Sequence, residues 1–498
     1  MKAPILFLVA ASLAASSFSA VTLPATTRNA VESPHATMRE LGLDPRAPIP
    51  RDEEHEQRRS LASKTVIAAK TAVHADSIVT TPTISAPPVK AGFAGTHDLG
   101  LSPSDAAGDV SANYLLHVSN ASVLAQNRTG AVLSNITLAS FWHDPAYLDG
   151  TLYDSRVLYD AAADRWIICT LYDVNLKKGT LLIAVSDGGN PSLGWHRYRY
   201  IVDPVFDTLE SDFTRMAMSR DSIVITANIF EESQEYTDVF TIRKSDAYAG
   251  PSTLPVTVKP TSEFDIAPVD GRTDATIYLV SQRNDADLAI FSYNGTALTT
   301  IGSLQAPLPG LIGGVFASIA LQLGSSLKLD CGFTVVHNAV LKNGVLWVAT
   351  QPYRSSPLRS SVLWWRIVLG SPLRVDTGLI DDPTGATMYA YPSIAVNKLG
   401  AALIGYSVFS ASLYPAAGYS YIDPSNNLSA PALMKMGDGP SHFSRWADFS
   451  TAVTDANDID FWTIQTYAPT FIAANGYWAT WWAKIEMPAP ARRHAAGH

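Results

Sequence analysis

From Gly95 onward, apolar residues fall in short runs, many of them alternating with polar ones, and clusters of Gly, Asn, Asp and Pro separate the runs. Successive side chains of a strand point to opposite faces, so alternation with a period of two predicts many short, half-buried strands. No long stretch carries a helical period. The segment GLIGGVFASIALQLGSS at 310–326 comes nearest, and its glycines weaken a helix there. The pattern is that of an all-β chain.

The strands repeat as a group. SRVLYDAAADRWIICTLYD, FTRMAMSRDSIVITANIF, YPSIAVNKLGAALIGYSV and FSTAVTDANDIDFWTIQTY each hold a short strand of small or apolar residues, a tight polar turn and a more apolar strand. Further strands such as TLLIAVSD and WHRYRYIV follow the first copy. With weaker copies included, the short strand begins near residues 104, 155, 214, 265, 336, 391 and 448. Repeats of this length suit four-stranded blades, which bury both faces only when arranged in a ring. The expectation is a seven-bladed β-propeller of four-stranded antiparallel blades, with a six-bladed, sialidase-like ring as the alternative. The last copy is one strand short. An N-terminal segment, TVIAAK or PPVKAGF, is expected to supply the missing edge and hide it.

The N-terminus changes the picture of location. Lys2, the apolar run at 5–15 and the small residues at 16–20 form a secretory leader with cleavage sites after Ser17 or Ser19. The expected organisation is a signal peptide at 1–20, an Ala/Thr/Pro-rich linker or propeptide at 21–90, the propeller at 91–488 and a flexible tail at 489–498. No other run is long enough to span a bilayer. Hence the mature chain is expected to be secreted, without a membrane span and monomeric. Charged residues make up only 16% of the chain and the net charge is −9, which argues against nucleic acid as a partner. Of the two cysteines, Cys169 lies in an apolar strand and Cys331 in a loop, so a buried thiol and a disulfide both stand open. Neither is accompanied by a metal-binding spacing, and no metal or cofactor is expected.

Several stretches resemble a secreted bacterial family of uncharacterised, sialidase-like β-propeller proteins. They include SPSDAAGDVSANYLLHVSN, DSRVLYDAAADRWIICTLYD, LLIAVSDGGNPSLGWHRY and SRWADFSTAVTDANDIDFW, in that order across most of 92–467. The resemblance implies a secreted propeller and no established activity. Members often carry Gly-Asp-Tyr where this chain has Ala447-Asp448-Phe449, and a Cys where it has Asp460. Ser186–Trp195 also looks like a stretched Asp-box, in which an Asp ties a Gly-rich hairpin and the Trp packs between sheets.

Candidate chemistry gathers at the entrance to the short strands: Asp105, Asp154 with Arg156, Asp212 with Arg215, and Arg445 with Asp448. In a ring these positions converge on one mouth of the central channel. They then act either as Arg–carboxylate links between blades or as a polar binding site. Tyr172, Phe230, Tyr353, Phe409, Tyr414, Tyr467 and Phe471 belong to connections reaching the same face, where aromatic rings suit sugar or peptide recognition. The expected partner is a glycan or cell-surface polymer. A sialidase-like hydrolase or lyase and a protein-docking scaffold are the other readings. Arg156, Arg215 and Arg445 imitate a sialidase triad, but the Arg-Ile-Pro motif is absent, and no Gly-x-Ser-x-Gly, His-Glu-x-x-His or P-loop occurs. His97, His117, His143, His337 and His442 are scattered. Sequons at Asn120, Asn127, Asn135, Asn294 and Asn427 suggest solvent-facing strands in the first copy.

Overall fold

The computed structural model describes residues 24–43, 73–144, 150–174, 177–202, 209–231, 234–283, 287–306, 308, 310–312, 318–470 and 478–487. The expected leader at 1–20, the segment TVIAAK, Phe471 and the tail at 489–498 lie outside them.

Among the described residues the strands build seven antiparallel units of four. Unit 1 occupies 107–137, unit 2 151–201, unit 3 210–261, unit 4 266–305, unit 5 336–380 and unit 6 387–435. Unit 7 takes three strands from 451–485 and its fourth, Val89–His97, from the other end of the chain. The first strands of consecutive units lie side by side in chain order. That of unit 7 returns to that of unit 1, so the first strands close on themselves.

This arrangement explains the long apolar second strands. Alternate residues face opposite neighbours, so neither face meets water. In unit 2, Ile167, Cys169 and Leu171 pack with Ile223 and Ile225 of unit 3. Trp166 and Ile168, on the opposite face, pack with Leu116 and Val118 of unit 1. In unit 7, Phe461 faces Leu403 and Tyr419 of unit 6 while Trp462 faces Val110 and Leu115 of unit 1. Cys169 and Cys331 are both buried free thiols and do not pair.

The stretch expected as a linker at 21–90 contributes strands along the outer edges. Thr26–Thr37 pairs antiparallel with the last strands of units 2 and 3 and joins them into one sheet. Val73–His74 and Ser77–Val79 add in parallel to the last strands of units 4 and 5, and Ile84 bridges Ser429 beside unit 6. These described segments thus form a belt along successive units ahead of unit 7, covering backbone edges that would otherwise be open. In the region expected to be most helical, the described residues form strands: Ser318–Gln322 and Ser325–Asp330 make a hairpin, and Leu311–Ile312 joins a small sheet with Tyr353–Ser355 and Leu358–Ser360. No helix among the described residues is long and apolar enough to cross a membrane.

His117 sits where unit 1 meets the closing strand. Its Nδ1 is 2.7 Å from the Ala107 carbonyl, which fixes the proton there. Its Nε2 lies 2.9 Å from Thr96 Oγ1 and 3.0 Å from Thr480 Oγ1. Burial holds the imidazole neutral, with its pKa pulled down to about 4 from the usual 6.5. Below pH 6.5 the unfolded chain binds a proton that the folded chain refuses, so stability is lost as pH falls toward 4. The expected loss is about 3 kcal/mol across that window. Urea midpoints measured from pH 7 to 4 check it, and His117→Gln is expected to flatten that limb while lowering the midpoint at pH 7.

Candidate functional site

The first strands open with a shared backbone feature. Asp105, Asp154, Phe213, Asp265 and Tyr391 all have φ between 44° and 60°. Asp tolerates this left-handed region, whereas Phe and Tyr adopt it only where packing imposes it. The side chains at and around these kinks tie one unit to the next. Asp105 Oδ1 accepts from the Asp448 amide at 2.9 Å, linking units 1 and 7, and Asp154 Oδ2 accepts from the Phe213 amide at 2.6 Å, linking units 2 and 3. Asn120 bridges units 1 and 2: its Nδ2 donates to Asp105 Oδ2 at 2.8 Å and its Oδ1 accepts from the Asp154 amide at 3.2 Å. Asn120 is therefore buried within this end of the axis, and its sequon does not mark a solvent-facing strand.

The arginines are held differently. Arg215 donates to Asp265 Oδ1 at 2.6 Å and to the Val336 carbonyl at 2.8 Å, both nearly fully buried. Arg445 donates to Asp448 Oδ2 at 2.5 Å and lies 3.6 Å from Asp330. Asp330 in turn accepts from the Trp446 amide and the Tyr391 hydroxyl. Arg156 is half-buried, donates to the Thr214 carbonyl at 2.9 Å and stacks 3.1 Å above the Phe449 ring. Burial pulls its pKa down to about 10, while Asp154 and Asp105 oppose that shift. The guanidinium stays charged at neutral pH.

Carboxylate oxygens of Asp105, Asp154 and Asp448 lie within 4.8 Å of one another. Six of the seven expected residues thus sit near the axis in mutual or shared contact: Asp105, Asp154, Arg156, Arg215, Arg445 and Asp448. Asp212 is half-buried and pairs in register with Asn228 on the adjacent strand. Below this end lies an axial cavity of about 180 Å³ whose wall takes residues from every unit, among them Ala107, Arg156, Met216, Pro268, His337 and Thr451. Burial, reinforced by Arg215 and Arg156, keeps His337 neutral, with its pKa down at about 3. Phe213, Val335 and Phe449 cluster on the axis beside Arg156.

The aromatic residues expected on this face divide. Tyr172, Tyr353, Phe409 and Tyr467 are buried in packing; Phe409, for instance, meets Trp446 edge-on at 5.5 Å. Phe230 and Tyr414 are half-buried. The expected list omits Asp265 and Asp330, which hold Arg215 and approach Arg445. Asp265 had a signal, since it stands at the start of its repeat as Asp105 and Asp154 do in theirs. Asp330 lies outside any repeat. In the hairpin Ser186–Trp195, Trp195 packs as an Asp-box Trp should, but the turn is tied by Ser186 and Asn190. Asp187 instead reaches outward to His35.

No family model matches the chain, and no curated protein matches it. Among solved structures, an α-L-arabinofuranosidase from Fusarium graminearum is 9% identical with a TM-score of 0.36, over 79% of this chain and 98% of that one. An exo-β-1,3-galactanase from Clostridium thermocellum is 9% identical with a TM-score of 0.31, over 80% and 100%. An α-L-arabinanase from Penicillium chrysogenum is 9% identical with a TM-score of 0.30, over 55% and 93%. Likeness this slight carries no argument about activity.

Proposed function

We propose that this chain is an exported seven-bladed β-propeller that binds an extracellular carbohydrate, a glycan or cell-surface polymer, at the axial end where the first strands begin. One observation carries the reading. The carboxylates of Asp105, Asp154 and Asp448, from units 1, 2 and 7, gather there, Arg445 bonds Asp448, and Arg156 lies over the Phe449 ring. Sugar hydroxyls need acceptors and forked donors together, with a flat apolar surface for the ring face. The axial cavity of about 180 Å³ adds room for a ring-sized group or several waters. Export rests on Lys2 and the apolar run at 5–15.

The test is calorimetry or array binding on extracellular polysaccharides. Arg156→Ala, alone and with Arg445→Ala, is expected to weaken binding at least tenfold in variants whose circular dichroism and melting stay cooperative. Unchanged binding in a folded double variant would overturn the site. A hydrolase is the second reading, favoured by the proximity of Asp105, Asp154 and Asp448, because retaining glycosidases need two carboxyls about 5 Å apart. Turnover in the same screen, abolished by Asp448→Asn while binding persists, would select that reading instead.

A further inference from the structure

On the outer edge, far from the axis in the sheet order, we infer that His35, Asp187 and His196 form a site for a divalent zinc-like ion that clamps the belt strand Thr26–Thr37 onto unit 2. His35 comes from the belt, Asp187 from the hairpin of unit 2 and His196 from its last strand. One ligand atom from each lies within 4.8 Å of the other two. His35 Nε2 is 3.0 Å and His196 Nε2 3.4 Å from Asp187 Oδ1. Bonds of about 2.0–2.1 Å to zinc put tetrahedral ligand atoms about 3.3 Å apart, so these separations match the edges of such a site. Two imidazoles and one carboxylate leave a fourth position for water. The side chains are 27–44% exposed, so an ion reaches them from solvent.

Three features beyond the ligands point the same way. The other nitrogen of His196, Nδ1, lies 2.6 Å from Glu32 Oε1, the outer carboxylate that typically orients a metal-bound imidazole and fixes its tautomer. The belt breaks register between Ser33 and Ala36, so Pro34 and His35 together oppose His196, and Arg197 holds the bulge by donating to the Pro34 carbonyl at 2.8 Å. A bulge of this kind re-aims a side chain, here His35 toward Asp187. Gly194 leaves the space that the cluster occupies: a Cβ there would stand 2.0 Å from Asp187 Oδ2 and 2.7 Å from the His35 ring. Imidazole and carboxylate ligands suit zinc and neighbouring divalent transition ions better than calcium or magnesium.

The experiment titrates Zn²⁺ into the tag-free, chelator-treated full chain by calorimetry, with Co²⁺ absorption reporting geometry and melting reporting the clamp. The expected result is one ion per chain, a tetrahedral Co²⁺ spectrum and a melting temperature raised by Zn²⁺. His35→Ala and His196→Ala, each shown folded by circular dichroism, should each weaken binding at least 100-fold and abolish the Zn²⁺-dependent rise. Glu32→Gln should weaken binding about tenfold through His196 alone. Absence of binding up to millimolar Zn²⁺, affinity unchanged from the parent chain in either His variant, or loss of binding with His494→Ala and His498→Ala instead would each overturn the site.

Discussion

A chain that begins at residue 98 loses its cooperative thermal transition, whereas one that begins at residue 80, although it too lacks the strands along the edges of units 2 to 5, keeps one. The difference is the strand Val89–His97. It pairs antiparallel with Ala479–Ile485, from Ala479 opposite His97 to Ile485 opposite Val89. Without it, an apolar strand carrying Trp481 and Trp482 presents its whole backbone edge, and an open edge of that kind recruits other chains. Phe93, tilted against Trp462 at 5.8 Å, is lost from the contact with unit 1, and Thr96 is lost from the hydroxyl pair around His117. Total stabilities run only about 5–15 kcal/mol, so losing one strand of a closed ring removes the folded state. A milder change tests the same contact. At Gly92 a Cβ would stand 2.5 Å from Trp481 Nε1 and 3.1 Å from the Trp482 carbonyl. Gly92→Val should therefore cost about 1–3 kcal/mol by overpacking, read as a lower urea midpoint with an unchanged slope. Light-scattering and melting curves of the two truncated chains decide the larger claim.

The parts of this structure that were legible in the sequence are those in which side chains do the specifying. Ile167, Ile168, Cys169 and Leu171 read as one apolar run because each face of their strand meets a different unit. PPVKAGF carried its own alternation and a glycine under Trp481, and it supplies the closing strand. Thr26–Thr37 had no such signal. Its sequence, TTRNAVESPHAT, has little apolar periodicity, and Ala30 alone in it is fully enclosed among the neighbouring strands. Its place is set by hydrogen bonding to two backbone edges, which composition does not reveal. The same limit hid His35, Asp187 and His196: Asp187 lies in the hairpin read as an Asp-box and His196 next to it, and His35 is brought in by that belt. At the axis the repeat exposed Asp105, Asp154, Arg156, Arg215, Arg445 and Asp448 because they recur at strand entrances. It did not expose which of them serve as links, since each contact joins a residue of one unit to a neighbour from another.

Arg215→Ala should be the most destabilising single substitution among the axial arginines, lowering stability by about 3–5 kcal/mol. The guanidinium joins three units: it belongs to unit 3, donates to Asp265 at the entrance to unit 4 and donates to Val336 in unit 5. Both partners of the ion pair are 3–4% exposed. Removing one member of so enclosed a pair leaves the other charge in a low-dielectric site, which costs more than the pair contributed. Arg215→Met combined with Asp265→Leu should recover part of the loss, giving a double-mutant coupling well outside additivity. By contrast Arg220 and Asp221, bonded at 2.9 Å on the surface, should leave the urea midpoint unmoved when separated. Arg156 falls between these cases. The residue is half-buried, and its guanidinium is held by one carbonyl and the Phe449 ring, with Asp154 and Asp105 acting on it only through their charge. Arg156→Ala should consequently cost far less stability than Arg215→Ala while having the larger effect on ligand binding. That inverse order is what a binding mouth built over inter-unit links requires; if the two arginines instead lose stability and binding in the same proportion, the axial cluster is a structural joint alone.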